Sequence, residues 1–391
     1  MQCEPVAFHL TAESFGELSG ENAPTRLYEE AERALQTLLG TADLDRELHR
    51  HRPFADKLEA AIETAIKSAY ALEQPDDALD DSAHLFLQRV LYRINRLKLF
   101  WYDDLHHYSN ERSNYLRALR DRIEEAWQAW ELDQLDLDAM RALETCAALR
   151  ARAAEDLDPP ATEDQKFFSE RVTLKGYRRL LEIASLDGLV EASQLSRTLG
   201  GVGNEIHSML TRLLVEEYGG GRLSRKHSSY FTAMLEAFQM KTEPEGYFET
   251  VPWEVLATIN HSFLLSERKR FFLRYIGGLL YTETSVPAAF HHYHLAAQRL
   301  GLTTAAMGYW DLHIKEDERH GRWMLHDVAL PLAERYGADA WELILGYDQQ
   351  RLMSARAGKS VARAARAADE FETGESAAPQ AGLQSLEAVG Q

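Results

Sequence analysis

Apolar residues recur at three- and four-residue spacing along most of the chain, with charged positions between them. The stretches 24–72, 82–100 and 108–153 carry this helical period, and a second helical array runs from about 163 to 354. Leu97–Trp101 and Trp127–Leu135 hold large apolar and aromatic side chains, as expected of helix–helix core. Between the arrays, Asp156-Leu157-Asp158-Pro159-Pro160 breaks helix and marks a linker. Gly200-Gly201-Val202-Gly203 and Gly219-Gly220-Gly221 punctuate the second array as helix junctions. After about 357 the sequence turns Ala/Ser/Glu-rich, and this tail is expected to be disordered. The pattern predicts an all-α protein divided at 1–160, 161–356 and 357–391.

Composition narrows the partners. A chain of 391 residues is long enough for two domains and a substantial core. The net charge of −19 repels phosphate backbones and anionic membranes, so neither nucleic acid nor membrane is expected as a partner. The same acidity weakly favours a cationic substrate. Two cysteines, Cys3 and Cys146, cannot form a disulfide framework or a zinc–cysteine cluster, which points to a reducing cytoplasm. The start, Met1-Gln2-Cys3-Glu4-Pro5, lacks the basic and apolar regions of a signal peptide. No apolar run approaches the ~18 residues that cross a bilayer.

The sharpest chemical signal is His313-x3-Asp317-x2-His320. A helical residue advances about 100°, so offsets of four and seven return to one face. Two imidazoles and a carboxylate there make half a site for a metal that accepts mixed nitrogen and oxygen ligands. With 15 His and 62 Asp+Glu, about 0.1 such motifs are expected by chance, so its weight depends on what lies upstream. Glu191 sits among apolar residues in Leu189-Val190-Glu191-Ala192, near the expected middle of a helix. An unpaired carboxylate is costly to bury, and a metal would relieve that cost. Glu217 ends the apolar helix Met209–Val215, and His227 follows ten residues on, with Ser224 as the expected N-cap. Glu283 follows the apolar run Phe271–Tyr281.

Against these stand plainer readings. A lone helical Glu is usually solvated, and a His in a first turn is usually on the surface. His291, His292 and His294 are nearly consecutive, point in divergent directions and are expected at the surface, as are His49, His51, His106 and His107. Gly219-Gly220-Gly221 is followed by no Lys-Ser/Thr and preceded by no strand, which argues against a phosphate loop. No Glu-x-x-His occurs, which argues against a ferritin-like carboxylate site. A haem protein would have no need of a His-x3-Asp-x2-His face.

Three segments together resemble the haem-oxygenase-like di-iron oxidases. They are Glu217-Tyr218-Gly219-Gly220-Gly221 with Lys226-His227-Ser228, then Phe271–Gly277 leading to Tyr281-Thr282-Glu283, then His313–Arg322. The likeness covers about 163–350 and is strongest to the N-oxygenase branch that includes the streptozotocin-pathway N-nitrosating enzyme. It implies a seven-helix haem-oxygenase-like di-iron domain preceded by a helical dimerisation region over 1–160, hence a homodimer. It also implies seven ligands, Glu191, Glu217, His227, Glu283, His313, Asp317 and His320. These would hold two Fe(II) ions, with one carboxylate bridging and the ligands not yet divided between the irons. O2 as co-substrate, an external reductant and electron donor, and a small amine, guanidine or amino-azole substrate are implied by the same likeness. The streptozotocin-pathway enzyme continues into a C-terminal cupin, for which about 35 residues after 357 leave too little chain. N-oxygenation to a hydroxylamine, N-hydroxyguanidine or nitro product is therefore expected. Oxidative C–C cleavage of an amino acid or fatty acid, and a non-catalytic metal-binding role, are the alternatives.

Overall fold

The computed structural model describes residues 23–71, 80–100, 105–201 and 203–375, and these contain helices and turns with no strand. Five of the longer helices lie in the N-terminal part: α1 (Ala23–Leu39), α2 (Arg52–Ala69), α3 (Asp81–Asn95), α4 (Asn114–Asp133) and α5 (Thr145–Leu157). Seven more lie beyond them: α6 (Leu174–Gly188), α7 (Glu205–Glu217), α8 (His227–Ala237), α9 (Trp253–Glu267), α10 (Phe272–Arg299), α11 (Gly308–Trp323) and α12 (Trp341–Glu375). Side chains placed just outside the periodic segments set several starts. Asp80 accepts from the amides of Ser82 and Ala83, Ser113 from Leu116, and Asn204 from His207. Each satisfies backbone donors that a helix start otherwise leaves open.

The long periodic stretches are interrupted where the pattern alone gave no break. The first divides after Leu39 at Gly40, and the third divides at Gln134 and again at Leu143. The Pro-containing segment 158–162 is non-helical, although Asp156 still belongs to α5 and accepts from Tyr347 Oη (2.7 Å) and Arg351.

No gap in the core separates the N-terminal helices from the second array. One continuous apolar cluster joins Tyr28, Phe86, Trp127 and Leu149 to Trp253, Ile276, Met324 and Tyr347. A buried polar bridge reinforces it. The Asn95 amide donates to Asn260 Oδ1 (3.1 Å), and the Asn260 amide donates to the Gln88 carbonyl (2.8 Å). The N-terminal helices thus support α9, which contributes Thr258, His261 and Ser262 to the wall of a cavity in the second array.

The tail expected from 357 is not disordered through 375. Helix α12 runs unbroken to Glu375, and Ser360, Val361, Ala362 and Ala365 are buried. Small residues here allow close packing against α6. The Asp369 carboxylate accepts from Thr173 Oγ1 (2.6 Å) and from the Gly176 amide (2.8 Å). Residues 376–391 lie outside the described residues, as do Cys3, Trp101 and the N-terminal start. Helices α10 and α12 approach closely because Gly277 and Gly346 carry no side chain. A Cβ on either would lie 2.0 Å or less from a carbonyl oxygen of the other helix.

Candidate metal centre

All seven residues singled out in the sequence converge on one buried point of the second array. Glu217 is the last residue of α7 and His227 the first of α8. The turn between them depends on Gly219, at φ 61°, where a Cβ would collide with the Arg225 backbone at 2.4 Å. Only glycine fits that conformation in that space, so the chain doubles back at once and His227 faces Glu217. The N-cap is Lys226 rather than Ser224, which lies in the short turn Leu223–Arg225. Glu191 is not mid-helix either. Helix α6 ends at Gly188, and Glu191 sits in the following turn beside Ala192, a non-glycine residue at φ 60°. Such a conformation costs on the order of 1–3 kcal/mol and tends to occur at functional sites. Glu283 lies on α10, while His313, Asp317 and His320 share one face of α11, as the spacing requires.

The donor atoms form two sets joined by one residue. Glu191, Glu217, His227 and His313 bring one donor atom each within 4.8 Å of one another, and so do Glu217, Glu283, Asp317 and His320. Glu217 divides its two oxygens between them. Oε2 lies 2.9 Å from His227 Nδ1, and Oε1 lies 3.3 Å from His320 Nδ1. His313 Nε2 is 3.3 Å from His227 Nδ1 and 3.6 Å from Glu191 Oε2. His320 Nδ1 is 3.4 Å from Glu283 and 3.5 Å from Asp317. Buried Glu191 Oε1, Asp317 Oδ1 and His320 Nδ1 have no hydrogen-bond partner. Orphaned buried donors and acceptors of mixed nitrogen and oxygen type are what a transition metal would satisfy.

Neighbours outside the seven set their orientation. His313 Nδ1 donates to the Tyr309 carbonyl (2.9 Å), which leaves Nε2 as the acceptor facing the centre. His320 Nε2 lies 3.2 Å from Glu216 and Nδ1 points inward. Tyr309 Oη donates to Glu191. Tyr309 stands one turn before His313, a position that sequence reasoning could have flagged, and Glu216 was hidden beside Glu217. Pro287, inside α10, lies four residues after Glu283 and cannot donate to its carbonyl. Gly321 of α11 faces that carbonyl, 3.0 Å from where its Cβ would stand.

Burial, then repulsion from Glu217, pushes Glu191 well above the usual carboxylate range. Burial raises Asp317 likewise, and Glu283 as well, against the pull of His320. Burial works against Glu217 too, but the His227 and His320 rings beside its two oxygens outweigh it and hold this carboxyl low. His313 is pushed down to about 4 by burial. So many acids in one buried pocket cannot all ionise unless cations join them.

A cavity of about 240 Å³ opens onto this centre, lined by five of the seven residues together with Asp187, His261, Tyr275 and others. Among the histidines expected at the surface, His294 is instead mostly enclosed, with Nε2 3.1 Å from Asp311. His291 is exposed and outside the cluster.

Residues 178–349, which contain every member of the cluster, match the haem-oxygenase-like family described as iron-containing redox enzymes. The Glu/His sets of the chain are compatible with iron. The chain is also similar to the nitrosourea synthase of Streptomyces achromogenes subsp. streptozoticus, with 28% identity over 246 residues. The match covers 61% of this chain and 52% of the relative, so it spans about half of that protein's length. No helix among the described residues is long and apolar enough to cross a membrane.

Proposed function

We propose that this chain is an O2-dependent di-iron N-oxygenase that oxidises a nitrogen of a small amine, guanidine or amino-azole. The observation that carries the reading is Glu217. Its two oxygens face two separate sets of nitrogen and oxygen donors, the arrangement of a carboxylate shared by a metal pair. The similarity to a nitrosourea synthase supports nitrogen as the atom oxidised.

In this reading Glu191, His227 and His313 would hold one ion, Glu283, Asp317 and His320 would hold the other, and Glu217 would serve both sets. Two Fe(II) ions there would supply, with an external reductant, the electrons that activate O2 for transfer of oxygen to nitrogen. The protein's own groups fix the ligands and shape the space. Tyr309 holds Glu191 by its hydroxyl and His313 by its carbonyl, so one residue orients two ligands of the same ion. Glu216 keeps the His320 ring turned so that Nδ1 faces inward. The apolar wall of Leu265, Leu279, Val286 and Phe290 limits water around the reacting nitrogen. An electron-donor partner, and a homodimer formed through the N-terminal helices, belong to the same proposal.

The test is anaerobic loading with Fe(II), then exposure to ¹⁸O2 with a reductant and a panel of amines, guanidines and amino-azoles. Products heavier by labelled oxygen atoms, with the carbon skeleton intact, are expected. Release of carbon dioxide, an alkene or an aldehyde would favour oxidative C–C cleavage. No O2 consumption with any amine would favour a metal-binding protein without this catalysis.

A further inference from the structure

Three oxidisable rings run in series from the metal centre toward the outside of the protein. Tyr309 is buried, donates its hydroxyl to Glu191 and holds its ring 4.3 Å from that of His313. Trp310 follows it in α11, with ring centroids 5.2 Å apart, and is 1% exposed. Tyr293 of α10 packs on Trp310 at 5.3 Å and is partly exposed without belonging to the cavity wall. Phe290, which does line the cavity and is far harder to oxidise, packs on Trp310 at 4.7 Å. Tyr and Trp bring polar groups into the core that need partners, and the Trp310 indole donates to Tyr177 Oη (2.7 Å). Phenylalanine would fill the same volume without that requirement.

A second indole near the centre differs in its surroundings. Trp323 lies 5.7 Å from the His320 ring, but the guanidiniums of Arg212 and Arg319 stand over it at 4.0 and 5.0 Å. Cations held there oppose the loss of an electron from that ring. Trp310 is packed instead by the uncharged rings of Phe231, Phe290 and Tyr293. Of the two indoles, Trp310 is therefore the easier to oxidise.

On the di-iron reading, on which this inference rests, O2 makes the centre oxidising even when the cavity holds no amine. We propose that Tyr309, Trp310 and Tyr293 form an electron relay from the protein surface to the metal centre. Through it, an external one-electron reductant of the ascorbate or thiol class quenches oxidising power that has no substrate to act on. Tyr309 gives one electron to the centre and its phenolic proton to Glu191, to which its hydroxyl already donates. It then takes an electron from Trp310 and recovers that proton, which leaves Trp310 as a radical cation with its N–H still donated to Tyr177. Tyr293 reduces Trp310 and releases its own phenolic proton to water. The reductant restores Tyr293 with one electron and one proton. The net result is one electron moved from reductant to centre, and the ligands are spared oxidation.

The test exposes the Fe(II)-loaded protein to O2 without amine or reductant, freezes it at intervals and records electron paramagnetic resonance. Protein carrying ring-deuterated Trp or ring-deuterated Tyr identifies the radical by its hyperfine pattern, with no variant needed. An organic radical is expected on Trp first and on Tyr later. Tyr293→Phe, which removes only a hydroxyl, should leave the radical on Trp. Trp310→Phe should lose the Trp component, and Trp323→Phe should keep it. Calorimetry with Fe(II) and melting temperature show whether each variant still folds and binds metal. Peptide mass mapping should find added oxygen at Trp310 and Tyr293, and ascorbate should suppress it. Consumption of O2 without any organic radical, a Trp signal that survives Trp310→Phe, or one that vanishes in Trp323→Phe would each overturn the relay. The expected radicals without ¹⁸O in any nitrogen product would leave the relay standing and sink N-oxygenation. Labelled nitrogen products without the radicals would sink the relay alone.

Discussion

His320 is held from two sides: its Nε2 lies 3.2 Å from the Glu216 carboxylate, and its Nδ1 faces Glu217, Glu283 and Asp317. Glu216 is itself tied down by Arg319 (2.5 Å). A carboxylate behind a ligating imidazole fixes the ring and raises its basicity. Glu216→Ala is expected to weaken one of the two metal sites about 10- to 100-fold and to spare the other. Calorimetric titration of the apo protein with Fe(II) or Mn(II) reads this directly, and two equally weakened sites would contradict it.

Glu217 and Glu191 should differ in kind. Glu191 serves one donor set and Glu217 serves both. Glu191→Ala should leave one ion per chain bound, while Glu217→Ala should lower occupancy at both. Metal analysis after gel filtration distinguishes the two. Identical losses would place the shared role elsewhere.

Metal binding should stabilise the protein more as pH rises. Burial and neighbouring carboxylates raise Glu191, Asp317 and Glu283, so without metal the folded state holds protons that the unfolded state releases above about pH 4. Stability from these groups is present at low pH and lost as pH rises. Glu217, held low by His227 and His320, acts in the opposite sense, but it is one group against three. A divalent ion takes the place of the protons. The gain in melting temperature on adding Mn(II) should therefore grow between pH 5 and 8, and a constant gain would refute the argument.

Acid should act on the N-terminal helices through His84. Its ring stacks on Trp253 at 4.2 Å between centroids, both nitrogens lack partners, and burial pushes it down to about 4. The folded state therefore excludes a proton that the unfolded state takes up below 6.5. Stability falls as pH drops from 6.5 toward 4, by on the order of 3 kcal/mol. His84→Phe should flatten that part of the stability curve, as measured by urea unfolding at several pH values.

The terminal part of α12 should matter for stability. Asp369 binds the start of α6 through Thr173 and Gly176. Asp369→Ala should cost about 1–2 kcal/mol, as loss of a cap does. Ending the chain at 356 should cost more, because Ala362 and Ala365 would leave the core. An unchanged melting temperature in the shortened chain would show that this packing is idle.

What was legible in the sequence was what short-range spacing encodes. His313, Asp317 and His320 are fixed on one face by the helical period alone, and the glycines after Glu217 announce the reversal that returns His227. Glu191 was found for a reason that survives, an acid among apolar residues, but its place was misread because the end of α6 carries no proline and only a modest glycine signal. The helix beyond 357 was missed because Ala-rich sequence reads as low complexity. Its order comes from packing against α6, a partner about 190 residues away. Glu216 could not be found by spacing at all, because it acts on the back of the His320 ring and that contact exists only in three dimensions.

Pro287 gives the centre an uneven stiffness. His313, Asp317 and His320 ride on an unbroken helix, which resists displacement along its axis. Glu283 rides on the turn of α10 where Pro287 removes the amide that would bind its carbonyl, and Gly321 stands opposite. One wall of the pocket is thus a rail and the other a spring. When the charge held between them changes, the Glu283 carboxylate can change its grip with one helical hydrogen bond fewer to strain, so the movement concentrates on that wall.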